Sequence, residues 1–230
     1  MPIKNVLLFM IAGLCCAACH QPVKDQKSDT PLLSPVPPKP LPDAVFKRYH
    51  DYSTHFFDSL LIKRGSFNGS ILVARDGNIV YEKYCGYIDP VQKKDSFTAG
   101  SAFHLASVSK TFTAMGILKL WQDKKINLED TLSEYFPHFP YPGITIKMLL
   151  NHRSGLPNYT HYLEAYHWNK KKVATNADIL NSLYTMHPPL DFPSGRRFAY
   201  CNTNYVLLAL IIEKVSGESY PGFMKNTFFI

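Results

Sequence analysis

Residues 103–114 read FHLASVSKTFTA, and the rest of the chain is organised around this stretch because it begins a long apolar helix. It places the hydroxyl of Ser107 and the amine of Lys110 three residues apart. Residues three apart on a helix lie on one face, so the two groups can meet. A serine is a weak nucleophile until a neighbouring base takes its proton. The pair therefore predicts a nucleophile and its base.

The Ser-x-x-Lys spacing is weak evidence when taken alone. The chain has 16 serines and 19 lysines in 230 residues, so chance gives roughly one such pair. The alternative is a serine in the first helical turn or at its N-cap, beside a solvated lysine. Other parts of the sequence have to decide between these two interpretations.

Composition and charge indicate a globular domain. Hydrophobic residues make up 46% of the chain and aromatic residues 13%, which are ordinary globular values. The formal charge of +7 could suggest nucleic acid, but the lysines are scattered and their densest clusters, 170–172 and 124–125, are short. A solvated surface fits this pattern better, and no nucleic-acid partner is expected.

The N-terminus is typical of an export signal. Lys4 precedes an apolar run over residues 6–19, shorter than the roughly 20 residues that a membrane-spanning helix needs. The run ends in CAAC, which resembles a bacterial lipoprotein signal with Cys19 as the lipidated residue and 1–18 as the signal peptide. Ordinary secretory cleavage nearby is the alternative. We expect an exported protein of the bacterial cell envelope, anchored to the membrane by lipid and facing the periplasm.

A tether and then a folded domain follow the signal. The tether covers residues 19–42, and six prolines among residues 31–42 exclude a helix or a central strand there. The domain is expected over residues 43–230. It retains Cys85 and Cys201, whose positions in sequence do not establish a disulfide.

The domain shows patterns for helices and for one hairpin. Apolar spacing predicts an amphipathic helix over residues 43–63, and two β-rich runs around Asp76-Gly77 predict a hairpin of strands 69–75 and 79–84. Residues 88–100 are predicted as a loop with a short strand entering Phe103. The remaining predictions are a helix from Ser107 to about Asp123, helices over 128–136, 144–152, 176–186 and 202–215, an irregular aromatic segment over 157–172, and another helix beginning near 218.

A second group of polar residues is Tyr200-Cys201-Asn202, the only Tyr-x-Asn among 14 tyrosines. It lies between a glycine-containing turn and an apolar helix. Residues two apart in an extended segment point the same way, so Tyr200 and Asn202 can both face Ser107. A phenol near an ammonium group can act as acid or base. The alternative is a buried tyrosine beside an asparagine that caps the helix.

The order of these motifs resembles the serine β-lactamase-related family, of the class C β-lactamase, D-alanyl-D-alanine carboxypeptidase and family VIII esterase type. The resemblance covers about residues 43–230. It rests on the Asp-Gly hairpin, Ser107 to Lys110, LLNHRSGLP at 149–157, FPSG at 192–195, and Tyr200-Cys201-Asn202. The fold it implies is α+β, with an antiparallel sheet flanked by helices and a helical subdomain. The reactive serine would begin the central helix.

The resemblance also implies roles for individual residues. Ser107 would be the acylated nucleophile, with its backbone N–H as one oxyanion donor, and Lys110 its general base or proton partner. Tyr200 would be the second acid/base, activating the deacylating water, and Asn202 would position the substrate. His152 would have a structural role in a rim loop. The substrate would be a β-lactam, a D-alanyl peptide or an ester, and neither a cofactor nor a metal is expected.

One family element is missing from the sequence. A Lys-Thr-Gly or His-x-Gly strand should follow the Tyr-x-Asn motif, and residues 203–230 contain neither. We therefore expect a C-terminally truncated domain, the N-terminal part of the family, with an incomplete sheet. The alternative function is that of a truncated or degenerate, non-catalytic paralogue, such as a lipoprotein that binds cell-wall peptides.

Overall fold

The computed structural model of the protein describes residues 36–65, 67–166, 168–169 and 171–229. They belong to two compact units, Met1–Ser101 and Ala102–Ile230. The predicted signal peptide at 1–18, the lipidation at Cys19 and the tether up to residue 35 lie outside the described residues and stay predictions. Within the described ranges, no helix has the length and apolar character to cross a bilayer.

The first unit joins a helix to an antiparallel hairpin, as predicted. The turn residues Asp76 and Gly77 have φ angles of 47° and 78°, the left-handed geometry that Asp-Gly favours in a two-residue hairpin. Tyr81 donates a hydrogen bond to Asp58 Oδ1 at 3.0 Å and stacks on Phe57 at 5.5 Å, which holds the hairpin to the helix. The elements are α1 (Asp43–Phe57), a π-helical turn (Asp58–Ile62), β1 (Gly69–Arg75) and β2 (Asn78–Cys85).

A second small hairpin occupies a segment predicted as loop. Strands β3 (Tyr87–Asp89) and β4 (Lys94–Ser96) pair antiparallel. The prediction was wrong here because β4 is entirely polar and both strands are three residues long, too short to show alternation. The strand predicted to enter Phe103 was also wrong, since residues 101–105 have neither helix nor strand.

The second unit is helical and is built around one buried helix, α7. Four side chains on adjacent faces of α7, Leu207, Leu208, Ile211 and Ile212, are fully buried, as expected of a helix that is apolar nearly all round. Helix α7 contacts α2, α4, α5, α6 and α8. The helices are α2 (Ser109–Gln122), α3 (Leu132–Tyr135), α4 (Ile146–Leu150), α5 (Tyr159–Ala165), α6 (Asn176–Met186), α7 (Asn202–Ser216) and α8 (Tyr220–Phe228).

The helix boundaries follow the sequence where a cap is present. Helix α6 covers the predicted residues, and Thr175 caps it by accepting from the N–H of Asp178 at 3.1 Å. Helices α3 and α4 are shorter than predicted, and α5 lies in the segment predicted as irregular. Helices together with antiparallel hairpins give the α+β class that was predicted.

Candidate active site

Ser107 lies in a short turn directly before the helix that carries Lys110. It is the middle residue of a 3₁₀ turn, Ala106–Val108, and α2 begins only at Ser109, so the predicted helix start was wrong by two residues. Ser107 and Lys110 remain neighbours across this junction, because residues three apart lie close together both in a 3₁₀ turn and in an α-helix. Lys110 Nζ accordingly donates to Ser107 Oγ at 3.1 Å. The contact that the spacing predicted is confirmed.

The backbone beside Ser107 is strained. Ala106 has a φ of +46°, a left-handed conformation that costs a non-glycine residue about 1–2 kcal/mol. Such strain is often found at functional sites, where the surrounding packing maintains it. Ser107 caps no helix, because Leu105 and Val108 occupy the two N-cap positions. The capping alternative is therefore wrong.

Tyr200 brings a third group to the same point, from 93 residues further along the chain. Its Oη lies 2.6 Å from Ser107 Oγ. Lys110 Nζ lies 5.0 Å from the centroid of the Tyr200 ring and 5.7 Å from that of Tyr205, at cation–π range. Ser107, Lys110 and Tyr200 thus form one cluster. The tyrosine is half exposed, so the alternative of a buried tyrosine is wrong.

Hydrogen bonds to Lys110 and Ser107 lower the pKa of Tyr200 below that of an ordinary phenol. Hydrogen bonding to Lys110 is the largest cause that lowers the pKa of Tyr200, and hydrogen bonding to Ser107 comes next. Burial of the ring opposes this shift but does not cancel it. A phenol with a lowered pKa is more often deprotonated, and a phenolate beside a serine hydroxyl can take the proton from that hydroxyl.

Asn202 lies in the wall of a neighbouring cleft of about 240 Å³ that Lys110 also lines. It is the first residue of α7, and Cys201 occupies the N-cap position, so the alternative of a capping asparagine is wrong. Tyr205, Val206 and Ala209 line the same cleft. Positions 202, 205, 206 and 209 share one face of a helix. Sequence reasoning missed Tyr205, although its spacing from Asn202 was the signal that could have identified it.

The loop at 151–157 is bonded to the start of α7. Ser154 Oγ donates to Asn204 Oδ1 at 2.6 Å, and Thr203 Oγ1 donates to the carbonyl of Pro157 at 2.7 Å. The Ser154 and Asn204 side chains are almost fully buried, where an unmade hydrogen bond would cost about 1–3 kcal/mol. The LLNHRSGLP motif therefore fixes where the segment carrying Tyr200 enters α7.

Gly155 has a steric reason to be glycine, and replacing it should destabilise the protein. Its φ is +77°, and an added Cβ would lie 2.1 Å from the carbonyl oxygen of Phe192. We expect Gly155→Ala to lower the free energy of unfolding by about 3 kcal/mol, from left-handed strain plus the clash. Urea unfolding followed by circular dichroism measures the change.

Gly143 provides the matched control for that substitution. Its φ is +78°, yet nothing lies within 4 Å of its added Cβ. Gly143→Ala should therefore cost only the strain, about 1 kcal/mol. Equal losses in the two variants would contradict the steric role given to Gly155.

The two cysteines of the domain are unpaired. Cys85 is partly buried and Cys201 is buried, and both are free thiols. Burial raises the pKa of the Cys201 thiol, which makes it less reactive. Within the described ranges, no three His, Cys, Asp or Glu side chains are arranged to hold a metal ion.

The sequence matches known proteins over most of its length. A family model named Beta-lactamase matches residues 47–230. Penicillin-binding protein 4* of Bacillus subtilis (strain 168) is 42% identical over 168 residues, which cover 73% of this chain and 37% of that protein. The chain spans about a third of the length of the curated relatives it matches.

Solved structures with the same fold carry related names. A penicillin binding protein from Bacillus halodurans superposes with a TM-score of 0.63 at 27% identity, covering 73% of this chain and 51% of that one. A D-amino acid amidase from Ochrobactrum anthropi SV3, complexed with L-phenylalanine amide, has a TM-score of 0.64 at 25% identity, covering 79% and 51%. These likenesses confirm the fold that the motifs predicted.

Proposed function

We propose that this chain, which belongs to the β-lactamase family, is a serine hydrolase that works by acyl transfer through Ser107. The proposal depends above all on one observation, that Ser107 Oγ lies 2.6 Å from Tyr200 Oη and 3.1 Å from Lys110 Nζ. A nucleophile with a proton-accepting phenol and a stabilising cation in hydrogen-bond reach has the arrangement that covalent catalysis needs. The substrate would carry an amide, β-lactam or ester carbonyl. The names of the relatives, a penicillin-binding protein and an amidase, support the first two.

Acylation begins with proton transfer within the cluster. The Tyr200 phenolate takes the proton of Ser107 as Oγ attacks the carbonyl carbon, and the carbonyl oxygen becomes an oxyanion. The backbone N–H of Ser107 donates to that oxyanion, while the Lys110 ammonium stabilises the negative charge on the phenolate before the transfer. When the tetrahedral intermediate collapses, the leaving amine or alcohol takes the proton from Tyr200. The product is an acyl ester on Ser107, and Tyr200 is a phenolate again.

Deacylation repeats these proton transfers with a water molecule as the nucleophile in place of Ser107. Tyr200 takes a proton from a water molecule whose oxygen attacks the acyl carbon. The second intermediate expels Ser107 Oγ, which recovers its proton from Tyr200, and the acid product leaves. Asn202 would hold the substrate by hydrogen bonds from the wall of the cleft, where its amide can both donate and accept.

Covalent labelling tests this function directly. The protein, expressed from its complete reading frame, is treated with a fluorophosphonate and with a fluorescent penicillin. Peptide mass mapping then locates the adduct, and fragmentation separates Ser107 from Ser109. We expect the adduct on Ser107, because its hydroxyl lies within hydrogen-bond distance of both the Lys110 amine and the Tyr200 phenol.

Two outcomes would overturn the proposal. A folded protein that neither probe labels would be a non-catalytic relative, and an adduct on Ser109 would mean that the nucleophile is misassigned. Where labelling succeeds, hydrolysis of a nitrophenyl ester, a D-Ala-D-Ala peptide and nitrocefin distinguishes the esterase, the carboxypeptidase and the β-lactamase. These three activities share the nucleophile and differ in the shape of the pocket.

A further inference from the structure

The backbone on both sides of Tyr200 is bonded to a single residue, His152. The N–H of Ala199 donates to the carbonyl oxygen of His152 at 2.9 Å. The N–H of Cys201 donates to Nδ1 of the His152 ring at 3.1 Å. His152 has a left-handed φ of +56°, which turns its carbonyl and its side chain toward the same segment. The peptide N–H groups on both sides of Tyr200 are therefore hydrogen-bonded to the same residue.

The His152 ring also separates two tyrosine rings. Its centroid lies 4.6 Å from that of Tyr200 and 5.1 Å from that of Tyr205, at interplanar angles of 36° in both cases. Tyr205 is anchored independently, because its Oη donates to the carbonyl of Leu150 at 3.1 Å. Lys110 Nζ lies over the same two tyrosine rings. Loss of the imidazole would leave a gap beside the phenol that has to reach Ser107.

The hydrogen bonds determine which nitrogen of His152 carries the proton. Nδ1 accepts from Cys201, and Asn204 Nδ2 approaches the same nitrogen at 3.3 Å. Asn204 uses its oxygen to accept from Ser154, which leaves its NH₂ group facing the imidazole. Nδ1 therefore has no proton, and the neutral ring carries its proton on Nε2.

The surroundings of His152 oppose a positive charge on the ring. Burial is the largest cause that lowers the pKa of His152, and the positive charge of Lys110 on α2 is the second. The titratable side chains in ring contact with His152 are Tyr200, just before α7, and Tyr205 on α7, whereas the nearby Cys201 thiol donates to the carbonyl of Leu156 at 3.3 Å. His152 is 9% exposed. The residue remains a neutral hydrogen-bond acceptor at the pH at which a phenolate can form.

We propose that His152 is a positioning residue for Tyr200: its carbonyl oxygen and Nδ1 hold the backbone, and its ring fixes the phenol within reach of Ser107. The inference rests on the proposed function, because it assigns His152 a part in the same proton transfer. Within the described part of the chain, no hydrogen bond or ring contact joins His152 to Ser107. Its effect on the rate passes through Tyr200 alone.

Paired substitutions separate the two contributions of His152. His152→Phe keeps an aromatic ring and loses the acceptor for Cys201, whereas His152→Asn keeps an acceptor oxygen and loses the ring. We expect each variant to slow the acylation of Ser107 by a fluorophosphonate by about 10–100-fold, because small misplacements of an acid or base cost rates of this size. His161→Asn is the control, since His161 is an exposed histidine on α5. It should acylate at the parent rate.

Combining variants tests whether the effect passes through Tyr200. In a Tyr200→Phe background, the His152 substitutions should slow acylation by less than about twofold further, because residues that act as one unit are not additive. An equally large loss in that background would overturn the proposal. Parent-like acylation by both folded His152 variants would do the same.

A second measurement does not depend on activity. With [ζ-¹³C]tyrosine labelling, the Tyr200 resonance is identified by its loss in Tyr200→Phe and then titrated by NMR. We expect His152→Phe to move the pKa of Tyr200 upward, toward that of an ordinary phenol, because its contacts with Lys110 and Ser107 lengthen. An unchanged titration would overturn the positioning role. A shifted titration in a protein that no probe acylates would retain that role and reject the proposed function.

Discussion

Replacing Ser107 with alanine is expected to reduce hydrolysis by at least about 10³-fold, since the loss of a nucleophile removes the covalent route and leaves only substrate binding and oxyanion stabilisation. The Tyr200 phenol and the Lys110 amine would remain in place with no hydroxyl between them. Steady-state hydrolysis of the substrate chosen from the labelling experiment measures the loss. Intact-protein mass spectrometry should show no acyl adduct in this variant.

Ser133→Ala is the matched control for that experiment. Ser133 is an exposed serine on α3 in the same unit, and alanine is a good helix residue. This variant should hydrolyse at the parent rate, and both variants should unfold at the parent urea concentration. A Ser107→Ala protein that still hydrolyses within tenfold of the parent would show that another group performs the chemistry.

Replacing Lys110 with methionine should have the second-largest effect, a loss of about 10²–10⁴ in kcat/KM. Methionine retains the length of the side chain and suits a helix interior, so the change removes the charge and leaves the packing. Interaction with Lys110 is the largest cause that lowers the pKa of Tyr200. Without it, that pKa rises and less phenolate is present at neutral pH.

The effect of Lys110 on the pKa of Tyr200 predicts the direction in which the pH profile of kcat/KM shifts when Lys110 is replaced. Because the phenolate is the base, kcat/KM rises as the pH increases through the pKa of Tyr200. In Lys110→Met this rise should occur at a higher pH than in the parent. Lys110→Arg should keep the rise near its parent position, because arginine retains the positive charge.

Lys119→Met is the control on the same helix. Lys119 pairs with Asp123 at 2.6 Å and lies well away along α2 from the cluster, and exposed ion pairs of this type contribute little. Its kcat/KM should stay within about twofold of the parent value. An unshifted pH profile in Lys110→Met would contradict the electrostatic role of the lysine.

Features with a local physical cause could be predicted from the sequence. The Asp76-Gly77 turn forms because these residues tolerate positive φ, and α6 begins at Asn176 because Thr175 caps it. Features without such a signal could not. The β3–β4 hairpin has strands of only three residues, and β4 is entirely polar. The start of α2 was misplaced because residues three apart are neighbours both in a 3₁₀ turn and in an α-helix. The spacing of Ser107 and Lys110 therefore does not distinguish the two.

The sequence by itself determined that Ser107 and Lys110 meet, because contacts between residues three apart depend only on local backbone geometry. It also determined the family, through the order of several short motifs. Only the tertiary structure placed the Tyr200 phenol 2.6 Å from Ser107 Oγ. That distance depends on how the 151–157 loop bonds to the start of α7 and on the His152 ring beside the phenol. Such contacts join residues about 50 to 90 apart, and no local pattern in a sequence encodes the packing that brings them together.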